Sequence, residues 1–244
     1  MRRLGMTFLF SLLSISTHAG NFGFYGGVSA GYGDFSMDTK FNLDTFDKRT
    51  TVLLIDNHTF TREIVTQLRV GYANGLKFHS YVPHWYERFH WAVEAFFEPQ
   101  SHTISTNNEL GAAVDYHLKF NYGATLKPGI QTTLNTTVQM HIGVVRADFT
   151  KISTTPGLIG FTEVGNQGKS DTGVRVGFGF EGRLNRNMSL EISATRTYFS
   201  NKGTDRYLNP YIIDETGTIF TQEVLTFRPR TDQILLNFNY YLVR

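Results

Sequence analysis

From Val114 to Gly123 the chain reads Val-Asp-Tyr-His-Leu-Lys-Phe-Asn-Tyr-Gly, apolar at one set of alternate positions and polar or glycine at the other. Successive side chains of a β-strand point to opposite faces, so this stretch predicts one strand lying between two unlike media. In a soluble sandwich the apolar face would pack on a core and the polar face would meet water. In a transmembrane barrel the apolar face would meet lipid and the polar face would line a lumen.

Seven further segments alternate in the same way: 22–35, 63–73, 89–98, 134–147, 173–183, 188–199 and 233–243. The expectation is an all-β chain, a transmembrane antiparallel up-and-down barrel of eight strands, an even number as such barrels have. Residues 74–88 leave room for a longer second strand or an extra one around Leu76–Val82, so ten strands is the alternative. The six prolines, at 83, 99, 128, 156, 210 and 229, are expected between strands or at their edges, because proline cannot donate to a ladder. Three connectors, roughly 36–60, 148–172 and 200–230, read as long loops on one rim, against tight turns at Lys127-Pro128-Gly129 and Asn185-Arg186-Asn187 on the other.

Aromatic residues on the apolar parity sort by height. Phe22, Phe24, Tyr72, Phe89, Trp91, Tyr122 and Tyr240 are expected near the inner rim, and Tyr32, Phe60, Phe97 and Tyr198 near the outer one. Two lipid-facing belts flanking an aliphatic band are what the two interfaces of a bilayer select.

Composition changes this picture at the N-terminus. Arg2 and Arg3 precede a short apolar run, and Thr17-His18-Ala19 offers small residues at a cleavage site, so 1–19 reads as a signal peptide and 20–244 as the barrel domain. Its loss removes two of the 23 Lys+Arg and none of the 21 Asp+Glu, leaving a formally neutral chain with no basic excess to suggest nucleic acid. The absence of cysteine excludes disulfides and zinc–thiolate sites; a closed hydrogen-bonded sheet would supply the needed rigidity.

The polar parity carries Arg69, Glu94, Glu98, Asp115, His117, Lys119, Arg175, Glu181, Arg183 and Glu191, with His90 and His141. An eight-stranded barrel is only wide enough for its own side chains, so these charges are expected to pair inside as a lumen network. A narrow gated conductance is the alternative. Other motifs carry little. Gly177-Phe-Gly179-Phe-Glu-Gly182 fits G-x-G-x-x-G but lies within an alternating strand with no helix to receive a pyrophosphate. His79, His84 and His90 are loosely spaced for a metal. His102 and Ser105 would fall on opposite faces of a strand and lack an orienting acid. No cofactor, metal or catalytic residue is expected.

Phe24-Tyr-Gly-Gly-Val-Ser-Ala-Gly-Tyr-Gly33, following a signal peptide, resembles the first strand of small outer-membrane barrels of the OmpA-transmembrane and opacity-protein kind, and Ile234–Leu242 resembles their last strand. Such proteins usually end in an aromatic residue, whereas this chain ends in Arg244. The resemblance implies a monomeric surface antigen of the Gram-negative outer membrane, structural or adhesive and non-enzymatic. Its partners would be outer-membrane lipids and, through the loops, a host or environmental ligand. A small-solute pore and a membrane-embedded lipid-modifying enzyme are the rival readings.

Overall fold

The computed structural model describes residues 23–45, 51–74, 89–99, 102–107, 113–133, 135–154, 164–185, 187–200, 203–207, 212–213 and 219–243. The expected signal peptide, Phe22, the stretch 75–88 with His79 and His84, prolines 83, 156 and 210, and Arg244 lie outside these residues.

Every element among the described residues is a strand. They are β1 (Gly23–Thr45), β2 (Thr51–Asn74), β3 (Phe89–Glu98), β4 (His102–Asn107), β5 (Ala113–Gln131) and β6 (Thr136–Thr154), followed by β7 (Val164–Arg183), β8 (Met188–Phe199), β9 (Gly203–Tyr207), β10 (Ile212–Ile213) and β11 (Ile219–Val243). Eight staves close an antiparallel barrel in the order β1-β2-β3-β5-β6-β7-β8-β11, and β11 pairs back onto β1 from Gly23–Val243 to Thr45–Phe220. β4 extends the line of β3 along β5, β9 extends that of β8 along β11, and β10 pairs with the tip of β11.

The wall is taller than a membrane requires. β1, β2 and β11 run for 23, 24 and 25 residues, whereas ~9–11 tilted residues span a bilayer. Much of each stretch expected as a loop is therefore sheet: Ser36–Asp44 pairs with Thr51–Phe60, and Asp148–Lys151 with Gln167–Ser170. Above the outer belt the ladder divides. β2 pairs with β3 only over Leu68–Asn74, and β7 pairs with β8 only from Gly173 inward. Among the described residues the extension is two four-stranded sheets, β4-β5-β6-β7 and β9-β11-β1-β2.

The short turns fall at the opposite rim. One crosses at Thr132–Asn135, where Thr132 N–H donates to the Thr136 carbonyl at 2.9 Å; the other follows Leu184, whose N–H donates to the Met188 carbonyl at 3.0 Å. The turn expected at Lys127-Pro128-Gly129 is thus strand: Pro128 stands opposite Trp91 inside β5. Pro229 also lies within a strand, where the partner on one side of β11 changes from β8 to β9 and a missing donor does least harm.

One irregularity governs the faces. Leu118 pairs with Phe149 and Phe120 with Asp148, so Lys119 is the extra residue of a β-bulge, which reverses the parity of β5. Tyr122 faces outward as expected, and Ala124, Leu126 and Ile130 continue that face, but Tyr116 and Leu118 do not; they are buried inside the barrel. They belong to an apolar plug with Phe35, Met37, Phe96, Ile104, Val145, Ala147, Phe149 and Phe199. The lumen is therefore layered, polar below and apolar above, and β5 keeps its sequence alternation while its two faces exchange roles.

Candidate functional site

The outer surface is apolar through the middle of the wall. Val28, Leu68, Val70, Met140, Ile142, Val144, Val176, Phe178, Ile192 and Leu236 all point out and are 40–64 % exposed. Soluble monomers rarely leave so continuous an apolar surface open to water. An apolar exterior on a closed barrel with polar side chains inside is the membrane-spanning arrangement. The belt residues Phe24, Tyr32, Phe89, Phe97, Tyr198 and Tyr240 are exposed on this surface, with Tyr72 and Trp91 half-buried among them. Phe24 meets Tyr72 edge-on at 5.0 Å, and Tyr72 lies 6.1 Å from Trp91 at the inner rim. Tyr122 also faces out, but at the other rim: it pairs with Phe97 and its ring lies 6.1 Å from Phe120. Its expected height was wrong because β5 continues inward to Gln131 instead of turning at Pro128.

Inside, charge converges from many staves. Glu94 on β3 and Glu191 on β8 are bridged by two cations: Arg69 on β2, at 3.1 and 3.5 Å, and Lys127 on β5, at 2.9 and 3.2 Å. Tyr25 donates its hydroxyl to Glu94 at 2.9 Å, Arg69 donates to Asn239 at 2.6 Å, and His141 Nε2 lies 2.9 Å from Glu191. Space for this cluster comes from glycine: a Cβ on Gly179 would stand 2.7 Å from Glu191 Oε1 and 2.8 Å from His141 Nε2.

A second centre is Glu98. Its two oxygens accept from Gln67 at 2.8 Å, Gln233 at 2.6 Å, Asn121 at 3.2 Å and Arg175 at 3.4 Å, which ties β3 to β2, β11, β5 and β7. The Arg175 guanidinium also lies 4.1 Å over the Phe96 ring, joining the polar layer to the plug above it. Toward the inner rim Tyr241 donates to Glu181 at 2.6 Å, and Arg183 lies 5.0 Å over the Tyr241 ring. Arg69, Lys127, Arg175 and Arg183 thus balance Glu94, Glu98, Glu181 and Glu191. With both carboxylates of the first cluster shared by two cations, and Glu98 holding four donors, the arrangement is a set of struts.

The expected lumen set is divided by the structure. Arg69, Glu94, Glu98, Arg175, Glu181, Arg183 and Glu191 meet in these layers. Lys119 does not: it is exposed on the outside, at the bulge. His117 also stands outside the network, half-buried above the bulge, with its Nδ1 2.7 Å from the hydroxyl of Thr103 opposite. The Asp115 side chain lies outside the described residues. Sequence reasoning missed Lys127, placed in a supposed turn, and left Tyr25 and Tyr241 out of the network although their inward parity was readable. No cluster of three metal-ligating side chains occurs among the described residues. His102 is buried while Ser105, on the other face of β4, is exposed; the acid that the sequence did not show beside His102 is Glu63 on β2, whose carboxylate lies 2.8 Å from its Nδ1.

Neither a protein-family profile nor a curated protein matches this sequence. The fold is similar to those of several solved outer-membrane proteins. The attachment invasion locus protein Ail of Yersinia pestis, in complex with the heparin analogue sucrose octasulfate, is 14 % identical, with 90 % of this chain and 99 % of that one covered at a TM-score of 0.36. The outer membrane protein OprG of Pseudomonas aeruginosa is 18 % identical, with 92 % and 96 % covered and a TM-score of 0.46. The outer membrane protease OmpT of Escherichia coli is 9 % identical, with 93 % and 100 % covered and a TM-score of 0.42.

Proposed function

We propose that this chain is a non-enzymatic surface protein of the Gram-negative outer membrane, structural or adhesive, that acts through the part of its wall standing outside the bilayer. The observation that carries the reading is the filled interior. A neutral, cross-linked ionic layer lies beneath an apolar plug in which Leu118, Phe35 and Ile104 are 0–1 % exposed. A water-filled conduction path needs neither, and a buried ion would have to break pairs made in low dielectric. His102 and Ser105 on opposite faces of β4 do not form a nucleophile–base pair, although His102 does have an acid beside it in Glu63.

What remains for contact is the tall extension. Its two sheets end laterally in strand edges, on β2 from Thr51 to Val65 and on β7 from Val164 to Ser170, that carry no ladder partner on that side among the described residues. Exposed edges of this kind favour strand-to-strand contact with other chains.

Single-channel recording on the folded protein in planar bilayers tests the reading. A silent bilayer is expected. Regular conductance steps that vanish when the protein is denatured would replace the surface role with a pore.

A further inference from the structure

The lipid-facing wall carries a groove of about 830 Å³ across β7, β8, β11, β1 and β2, within the ~300–1,000 Å³ of small-molecule sites. Two rows of outward side chains build it. The lower row runs Ile64, Tyr32, Ile234, Ala194, Phe178, each opposite the next on the neighbouring strand. Ala194 is the small member, so the wall dips there between Ile234 and Phe178. The row above runs Arg62, Asp34, Asp232, Arg196, Val176.

This upper row is chemically unusual for a barrel exterior. Asp34 and Asp232 stand directly across from one another, a like-charge pairing that costs stability unless each is neutralised. Arg62 holds Asp34 through Nε at 2.8 Å and a terminal nitrogen at 3.3 Å, and Arg196 holds Asp232 in the same two-pronged way, its terminal nitrogen at 3.0 Å. Arg230 Nε lies 3.7 Å from Asp232. Three guanidinium groups thus face two carboxylates, which leaves one positive charge beside an apolar trough. Each arginine meets its aspartate through Nε and one terminal nitrogen, and Arg196 also hydrogen-bonds Tyr198 and lies 5.9 Å over its ring; a guanidinium has five N–H donors, so each fork has capacity left for a further acceptor.

We propose that this groove holds one molecule of the phosphorylated, multiply acylated glycolipid of the outer leaflet. One of its acyl chains would lie along Ala194, with its phosphate groups on Arg62 and on Arg196, which stand three strands' spacing apart. This rests on the outer-membrane reading given above. The leaflet follows from the position of the charged row, one step outside Tyr32 of the outer belt, on the side where β1 continues to Thr45. Guanidinium forks match phosphate oxygens, and the aspartates fix the planes of those forks before the lipid arrives. The charged groups lie at head-group height, where lipid-facing cations cost little.

Native mass spectrometry tests the proposal. The mature protein is folded into vesicles of phosphatidylethanolamine, phosphatidylglycerol and lipid A, then extracted in mild detergent. The wild type is expected to retain one lipid A, and both Arg62→Gln/Arg196→Gln and Ala194→Phe to reduce retention by about tenfold or more. Asp34→Asn/Asp232→Asn, which keeps the arginines, is expected to retain it. Folding of each variant is read separately from the shift between boiled and unboiled bands on detergent gels. A folded wild type that keeps no lipid A, that keeps phosphatidylglycerol equally, or that matches the double arginine variant overturns the proposal and leaves the barrel standing. A protein showing no gel shift in any lipid would remove the membrane reading itself.

Discussion

Leu118 and Phe149 stand directly opposite one another on β5 and β6, and both point into the barrel. Two residues on, Phe120 stands opposite Asp148, and both point out. Because Lys119 is left over between these pairs, apolar residues continue at every second position of β5 while the medium they meet changes from plug to membrane interface.

The bulge therefore separates two adjacent side chains energetically. Leu118 is fully buried, and Leu118→Ala is expected to destabilise by about 2–5 kcal/mol, as cavity-forming core substitutions do. Lys119→Ala is expected to stay within about 0.5 kcal/mol. Reversible urea unfolding in lipid vesicles measures both, and equal costs would mean that Lys119 is not the extra residue.

The four-donor seat of Glu98 predicts strong coupling with Arg175. Removing the carboxylate in Glu98→Leu leaves a buried guanidinium without its counter-charge and is expected to cost about 3–5 kcal/mol. Adding Arg175→Leu is expected to recover a large part of that loss. A double-mutant cycle on unfolding free energies reads the coupling, and purely additive effects would show that the pair is not a unit.

Two glycines of opposite facing supply a packing test. A Cβ at Gly71 would stand 2.4 Å from the Tyr25 ring, whose hydroxyl is held by Glu94, whereas one at Gly26 meets nothing nearer than 4.0 Å. Gly71→Ala is expected to cost about 1–3 kcal/mol through overpacking. Gly26→Ala is expected to be close to neutral. The same unfolding assay distinguishes them.

The sequence made the membrane half of this molecule readable and the outer half hard to read, for a physical reason. Between the two belts each strand separates lipid from a polar lumen, so period-two alternation maps directly onto out and in, and Glu94, Glu98, Arg175 and Glu191 could be placed by counting. Above the outer belt the interior is apolar as well, and the alternation no longer tells which face is which. A signal was available in β1, where the inward parity passes from Ser29 and Gly33 to Phe35 and Met37, and in β6, where it passes from Gln139 and His141 to Val145 and Phe149. The bulge itself left no mark, since lysine is as ordinary in a bulge as on a strand face. Long polar stretches rich in Thr, Asn and Asp read as loops, because without apolar residues at alternate positions they carry no period-two signal. Pro128 misled because its place inside β5 depends on which neighbouring carbonyl goes without a donor, and that is set by register.

A cation on the outer face probes the bilayer. Ile142 faces outward between Met140 and Val144 and is 46 % exposed. Ile142→Arg is expected to lower the stability of the folded barrel by ~2–4 kcal/mol if it sits near the midplane, and by far less in detergent with polar head groups nearby. Equal stability of the variant in thick and thin bilayers and in detergent would place Ile142 away from hydrocarbon.

The most direct test of the whole account is a spin-label scan along β5, which the absence of native cysteine makes straightforward. Single cysteines from Tyr116 to Ile130 are labelled in the protein folded into vesicles, and collisions with oxygen, which concentrates in hydrocarbon, are measured site by site. Maxima are expected at Tyr122, Ala124, Leu126 and Ile130, minima at Asn121, Thr125 and Lys127, and low access at Tyr116 and Leu118. High oxygen access at Leu118, continuing the even-numbered series without a break, would contradict the bulge and the plug, and a scan with no period of two would contradict the barrel.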